Sequence, residues 1–279
     1  MTIDFIKTHA LGNDFLLTER GEIPESRLAG LARKICHRNF GVGADGLIYW
    51  NQAENIFDLR IFNCDGSEPE CSGNGLRCTA AYLIESGRWP EPQIQLRTVS
   101  GVYTLSRVGE EYEADMGLPG LRPEEIPFIA NPPVDRVIDY PLVVDGETVR
   151  ITACSTGNPH CSLFLKELDE AKVQEFIQRL GPKLERHSAF PNRTNVEFIR
   201  VMNDRELQVE FWERGVGPTY ASGTGSCGAT VASILNGRTG RDVTVHTKAG
   251  KLRVEWPENG RLKLTSTATV VAEGRYLER

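Results

Sequence analysis

One four-residue pattern occurs twice in the chain, as Ser72-Gly73-Asn74-Gly75 and as Ser222-Gly223-Thr224-Gly225. Each copy leads into a run with the apolar spacing of a helix, GLRCTAAYLIESG and SCGATVASILNG, and each run stops at a glycine in the C-cap position, Gly87 or Gly237. Short β-rich runs surround both helices: IDFIKTHA, GLIYW, FDLRIFN, IQLRTVSGVYTLSRV and YEADMG in the first half, and VRITACSTGNPHCSLFL and NVEFIRVMNDRELQVEFWERG in the second. DVTVHTKAGKLRVEW and GRLKLTSTATVVAEG follow as hairpin-like strands, and SRLAGLARKICH and KVQEFIQRLGPKLERH add one more helix to each half. The repeat predicts a mixed α/β protein of two matching halves, residues 1–119 and 120–267. Residues 268–279 form a strand that could return to the first half. The Pro- and Gly-rich stretch GLPGLRPEEIPFIANPPVD is the best linker candidate.

A helix start carries partial positive charge and up to four N–H groups without an intrahelical acceptor, and small residues leave those donors unobstructed. Such a loop suits an anion. Two of them facing one another across a pseudo-two-fold would hold one small carboxylate-bearing ligand between the side chains at positions 72 and 222. That arrangement fits removal of a proton from one face of a carbon and its return to the other, with the helix-start donors stabilising the enolate-like charge. For a single loop, ordinary capping by serine is the better explanation; two loops at matched positions favour the ligand site.

Charge and cysteine usage narrow the alternatives. A net charge of −6 with no compensating basic run argues against nucleic-acid and anionic-membrane partners. No window reaches the roughly 18 consecutive apolar residues of a spanning helix, and the N-terminal segment lacks a signal-peptide design. A cytoplasmic location is the expectation. Seven cysteines with no Cys-x-x-Cys pair read as reduced thiols rather than a zinc site, and Cys78 and Cys227 read as buried structural thiols.

Five further segments, ALGNDF, FNCDGSEPE, GNPHC, RTNVEF and WERGVG, place Asn, Asp, Glu or Arg beside turn residues at the ends of apparent strands. Taken singly, each asparagine is an ordinary turn residue. Glu213-Arg214 lies just ahead of the second loop, where Arg could pair with a carboxylate in forked geometry and Glu could accept from an ammonium. His160 is the best proton-handling candidate, and a satisfied structural histidine is the competing explanation.

Taken in order, HALGNDF, NFGVGADGLI, NCDGSEPECSGNGLRC, GNPHC, NRTNVEF and WERGVGPTYASGTGSCGA resemble the diaminopimelate epimerase family over nearly the whole chain. The resemblance implies two pseudo-symmetric α/β halves, each a mixed sheet or barrel around a central helix. It implies a cytoplasmic homodimer that interconverts LL- and meso-diaminopimelate with neither cofactor nor metal. Carried over by position, Asn13, Asn63, Asn158, Asn195, Glu213 and Arg214 contact the substrate. Gly73, Asn74, Gly223 and Thr224 cradle the reacting carboxylate, and His160 and Glu213 tune the proton-transferring groups.

The chain departs from the family at the two acid/base positions, which are cysteines there and Ser72 and Ser222 here. A thiol ionises near pKa 8.5 and a hydroxyl only far above that, as water does, so making the oxyanion costs roughly 10 kcal/mol more. His160 and Glu213 are the neighbours able to take the serine proton. The readings that follow are an epimerase working through serines, or a form whose cysteines have been replaced; a related isomerase or racemase with another substrate; and a catalytically inactive amino-acid-binding homologue. A fourth has Cys71 turning inward, against the alternation of an extended chain.

Overall fold

The computed structural model describes residues 2–19, 21, 23–69, 72–165 and 170–278. The chain divides into two compact units, Met1–Asp115 with Thr265–Arg279, and Met116–Leu264.

In the first unit, strand Thr2–Ala10 pairs antiparallel with Asn13–Glu19 on one side and with Thr269–Leu277 on the other. Asn13–Glu19 then runs parallel to Gly46–Ala53, the crossover between them being helix α1 (Glu25–Ile35). Gly46–Ala53 turns back onto Ile56–Asn63, and helix α2 (Gly73–Glu85) carries the chain across to the parallel strand Gln93–Thr98. The hairpin Gln93–Thr98 with Gly101–Val108 follows, paired in turn with Glu111–Gly117.

The second unit repeats this order. Glu147–Ser155 pairs antiparallel with Pro159–Phe164, which runs parallel to Asn195–Asn203 across helix α3 (Glu170–Glu185). Asn195–Asn203 turns back onto Glu206–Glu213, and helix α4 (Gly223–Leu235) leads to the parallel strand Asp242–Thr247 and its partner Gly250–Glu255. Parallel neighbours need such helical crossovers, whereas the antiparallel pairs close through short turns.

The two kinds of helix differ in how they are buried. α1 lays an apolar stripe, Leu28, Leu31, Ala32 and Ile35, against Ile3, Leu16, Leu47 and Phe62 of the sheet. α3 does the same with Val173, Ile177, Leu180 and Leu184 against Leu163, Val196 and Phe198. α2 and α4 are instead enclosed: α4 packs on six strands of its unit and buries every residue from Gly225 to Ser233. A helix apolar all round belongs in a core, and the small residues Gly225, Ser226, Gly228, Ala229 and Ala232 let the strands approach its backbone. Both units are therefore mixed sheets wrapped around a central helix. Among the described residues no helix is long and apolar enough to cross a membrane.

Two sequence readings are corrected. The Pro- and Gly-rich stretch at 117–135 is no linker: Ile126 is 0% and Phe128 5% exposed, and the Phe128 ring packs edge-on to Tyr140 and Phe190 at 5.5 and 4.9 Å. Turn-forming residues gave it a loop-like composition, but Ile126 and Phe128 between them are buried in the α3 core. Strands Asn13–Glu19 and Tyr140–Val144 went unrecognised because the first opens on Asn-Asp and the second carries Pro141.

Phe128→Ala should destabilise the protein by about 3–5 kcal/mol in urea unfolding, as for a buried aromatic. A loss within about 0.5 kcal/mol, typical of surface positions, would return the segment to linker status.

Candidate active site

α2 and α4 begin alike. Ser72 (φ −138°, ψ 110°) and Ser222 (φ −138°, ψ 125°) are N-caps in extended conformation. Ser72 Oγ accepts from Gly75 N at 3.1 Å and Ser222 Oγ from Gly225 N at 3.3 Å. Each hydroxyl thus satisfies one of its helix's leading N–H groups. By helix geometry the N–H groups of Gly73, Asn74, Gly223 and Thr224 have no acceptor within their helices. The second glycine of each loop is dictated by packing: a Cβ on Gly75 would lie 2.9 Å from Ile48 Cδ1, and one on Gly225 2.8 Å from Phe211 Cδ1.

In the first unit a hydrogen-bonded chain leads from the helix start to a charged cluster. Arg77, fully buried, donates to Asn74 Oδ1, and Asn74 Nδ2 donates to Asn13 Oδ1 at 3.0 Å. Asn13 Nδ2 donates to Asp45 Oδ2 at 2.8 Å, and Arg38 Nη2 joins Asp45 and Asp14 at 2.8 Å each. Burial pushes the Asp14 carboxyl up, but the hydrogen bonds and charges of Arg38 and Lys7 outweigh it and hold the group below the usual carboxylate range. Because an amide bonds through a donor end and an acceptor end, Asp45 fixes which way Asn13 faces. Asn63 is bound apart from this chain, its Nδ2 donating to Ser67 Oγ at 2.9 Å within the 63–67 turn.

In the second unit the candidates converge on His160, which is completely buried. Its Nδ1 lies 2.6 Å from Glu197 Oε1, and Glu197 Oε2 accepts from Ser162 Oγ at 3.0 Å. An ionised carboxylate only accepts, so His160 Nδ1–H donates to Glu197, and Nε2 lies 2.8 Å from Asn158 Oδ1 and 3.0 Å from Thr156 Oγ1. Thr156 also reaches the Thr224 carbonyl at 3.5 Å, tying His160 to the start of α4. Asn195 holds two neighbours: its Nδ2 donates to Pro159 O at 3.1 Å and its Oδ1 accepts from Arg214 N at 3.0 Å. Glu213 accepts from Thr219 Oγ1 at 2.6 Å. Burial is the largest influence on Glu213 and raises its carboxyl above the ordinary value, against the opposing effects of Thr219, His160 and a hydrogen bond with Ser222. A buried carboxylate of raised affinity for protons is suited to accept one, as general-base chemistry requires.

The sequence reading missed Asp45, Arg38, Thr156, Glu197 and Thr219. Asp45 had a usable signal, an Asp between glycines in GVGADG. Glu197 had none, since on a strand it reads as the polar half of an alternating pattern. The buried thiols are no substitutes for the absent cysteines: burial pushes Cys36 and Cys78 up to about 12 and raises Cys154 and Cys161 well above the usual range. Cys71 lies outside the described residues. Among the described residues no three His, Cys, Asp or Glu side chains are grouped to hold a metal ion.

The family model for diaminopimelate epimerase matches residues 5–121 and 152–272, one stretch for each half. Relatives called diaminopimelate epimerase include that of Pelotomaculum thermopropionicum, 46% identical over 98% of both chains, and that of Desulfitobacterium hafniense, 43% identical over 99% of both. Similar solved structures include a phenazine biosynthesis protein of the PhzF family from Bacillus anthracis, with TM-score 0.71, 15% identity and complete coverage of both chains. A hydroxyproline epimerase from Agrobacterium vitis has TM-score 0.69 at 13% identity, covering 99% of this chain and 92% of that one. At such identities these two share the fold. With a match through both repeats and relatives at more than 40% identity along almost its entire length, this chain belongs to the diaminopimelate epimerase family.

Proposed function

We propose that the chain is a cofactor-independent isomerase that interconverts LL- and meso-diaminopimelate by exchanging the proton on one α-carbon. The observation that carries this reading is the 46% identity, over 98% of both chains, to a relative called diaminopimelate epimerase. Cytoplasmic residence, a homodimeric state and a place in amino-acid biosynthesis belong to the same reading. The N–H groups of Gly73, Asn74, Gly223 and Thr224 take the reacting carboxylate. Asn13, Asn63, Asn158, Asn195, Glu213 and Arg214 recognise the rest of the substrate, Arg214 by paired bonds to carboxylate and Asn195 through its second Nδ2 hydrogen.

Ser72 and Ser222 are the proton-handling groups, and their surroundings differ. Glu213 follows Asn63 by the same 150 residues that separate Ser222 from Ser72, so the equivalent position is a carboxylate in the second half and an amide in the first. On the Ser222 side the Cα–H bond breaks, its proton passes to Ser222 Oγ, and the Ser222 hydroxyl proton passes to Glu213. The electron pair stays on the α-carbon and its carboxylate, where helix-start donors stabilise it. His160 acts on Glu213 in the sense opposite to burial. Return of a proton to the opposite face draws on Ser72, which would be left as an alkoxide with no carboxylate to relieve it, at a penalty of roughly 10 kcal/mol relative to a thiol.

One observation favours a second reading, amino-acid binding without turnover: both serines are engaged as ordinary helix caps. Incubation with LL-diaminopimelate in D₂O separates the two. Deuterium should enter the α-position, with configuration retained faster than it inverts, and Ser72→Cys should accelerate inversion more than Ser222→Cys. Tight binding with no deuterium incorporation supports the second reading. Absence of deuterium even in the double Ser→Cys variant contradicts the first.

Glu213 also links stability to pH. An acid whose native pKa is raised favours folding while protonated, and that contribution is lost as pH rises through the native value. Glu213→Gln should therefore raise the thermal midpoint near neutral pH and leave it unchanged near pH 4, close to the ordinary glutamate pKa of about 4.3. An equal difference at both pH values would contradict the burial of this carboxylate.

A further inference from the structure

α3 ends on a carboxylate turned into the protein. Glu185 is 2% exposed, its Oε2 accepts from Trp212 Nε1 at 2.9 Å, and its Oε1 accepts from Gly215 N at 3.0 Å. These two donors bracket Glu213 and Arg214. The backbone carbonyl of Glu185 also accepts from Thr194 N at 3.1 Å, just ahead of Asn195, whose own side chain holds Arg214 N. One turn earlier on the same helix face, Gly181 meets the Trp212 indole so closely that a Cβ would fall 2.6 Å from two ring atoms. Trp212 is thus fixed by contact with Gly181 and by a hydrogen bond to Glu185.

The charge on Glu185 is sustained there. Burial works against it, but the Trp212 and Gly215 donors and the guanidinium groups of Arg186 and Arg193, 4.0 and 3.8 Å from Oε1, hold the carboxyl below its ordinary value. The first unit has a counterpart of opposite polarity: Arg33, near the end of α1, donates from Nη1 to the Asp65 carbonyl at 3.0 Å, holding the turn after Asn63. In each unit the crossover helix grips the strand end that precedes the Ser-Gly loop.

We infer that Glu185 is a positioning residue, setting the conformation of residues 212–215 so that Glu213 and Arg214 present their side chains as recognition and proton transfer require. The inference rests on the proposed roles of Glu213 and Arg214, and it assigns α3 a part in the site although no side chain of that helix need touch substrate. A carboxylate is needed because two donors converge on it. Glutamine would turn an NH₂ group toward one of them, and such a mismatch leaves a buried donor unsatisfied.

The test uses Glu185→Gln with Trp212→Phe as a milder partner, since phenylalanine keeps a ring, though a smaller one, against Gly181 and removes the Nε1 donor. Calorimetry with meso-diaminopimelate should show affinity weakened by about tenfold or more in Glu185→Gln, and less in Trp212→Phe. Carbon-13 titration of the Glu213 carboxyl, which needs no ligand, should show its pKa falling toward the ordinary glutamate value in Glu185→Gln as the segment opens to water. Phe128→Ala, destabilised elsewhere in the same unit, should leave that titration unmoved and so separates positioning from general loss of stability. An unchanged Glu213 titration in a folded Glu185→Gln protein overturns the inference. Failure of the parent chain to bind diaminopimelate overturns the functional reading instead, and the titration still decides the role of Glu185.

Discussion

A serine hydroxyl accepting a backbone N–H at the start of an enclosed helix is the interaction on which both halves depend. α2 and α4 are surrounded by strands, and their half-buried leading N–H groups are satisfied by the chain, by a ligand or by water. Ser72 and Ser222 each take the N–H of the glycine three residues on, and that glycine is bare because a neighbouring Ile48 or Phe211 leaves no room for a Cβ. The cap therefore fixes where the helix begins, and the close packing fixes which residues can follow it. Two N–H groups per helix point onward with the positive end of the helix dipole behind them, and an anion is the natural complement.

The same hydroxyls create the tension in the chemistry. Serine is among the best N-caps, typically worth about 1 kcal/mol over a residue that cannot cap, whereas a thiol is only a weak acceptor. Serine thus stabilises the helix start while adding roughly 10 kcal/mol to the formation of a charged base. The second quantity dominates the rate unless another group receives the proton. Glu213, with its carboxyl raised by burial, is suited to that task in the second half. Asn63 is not in the first, and the asymmetry between these equivalent positions sets the expected order of the two proton transfers.

Much of the fold was legible because it is written twice. The repeated Ser-Gly-x-Gly loops marked the starts of α2 and α4, and Gly87 and Gly237 marked their ends with φ of 72° and 65°. Strand Asn195–Asn203 was visible as a run of β-formers because α3 and α4 both pack on it and its first five residues are buried. What escaped notice was structure that depends on partners distant in sequence. Pro-rich residues 117–135 look like a linker until Phe128 is seen between Tyr140 and Phe190. Glu197 looks like the polar half of a strand until it is found, fully buried, on His160. Asp45 and Glu185 act through hydrogen bonds to residues 32 and 27 to 30 positions away, separations to which no local pattern is sensitive.

The most direct test of the anion cradle is an amide NMR titration with meso-diaminopimelate. The backbone N–H resonances of Gly73, Asn74, Gly223 and Thr224 should move downfield together and saturate with one dissociation constant, while those of Gly75 and Gly225, already bonded to serine, stay nearly still. Saturable binding that leaves the four leading amides unperturbed would contradict the account at its base.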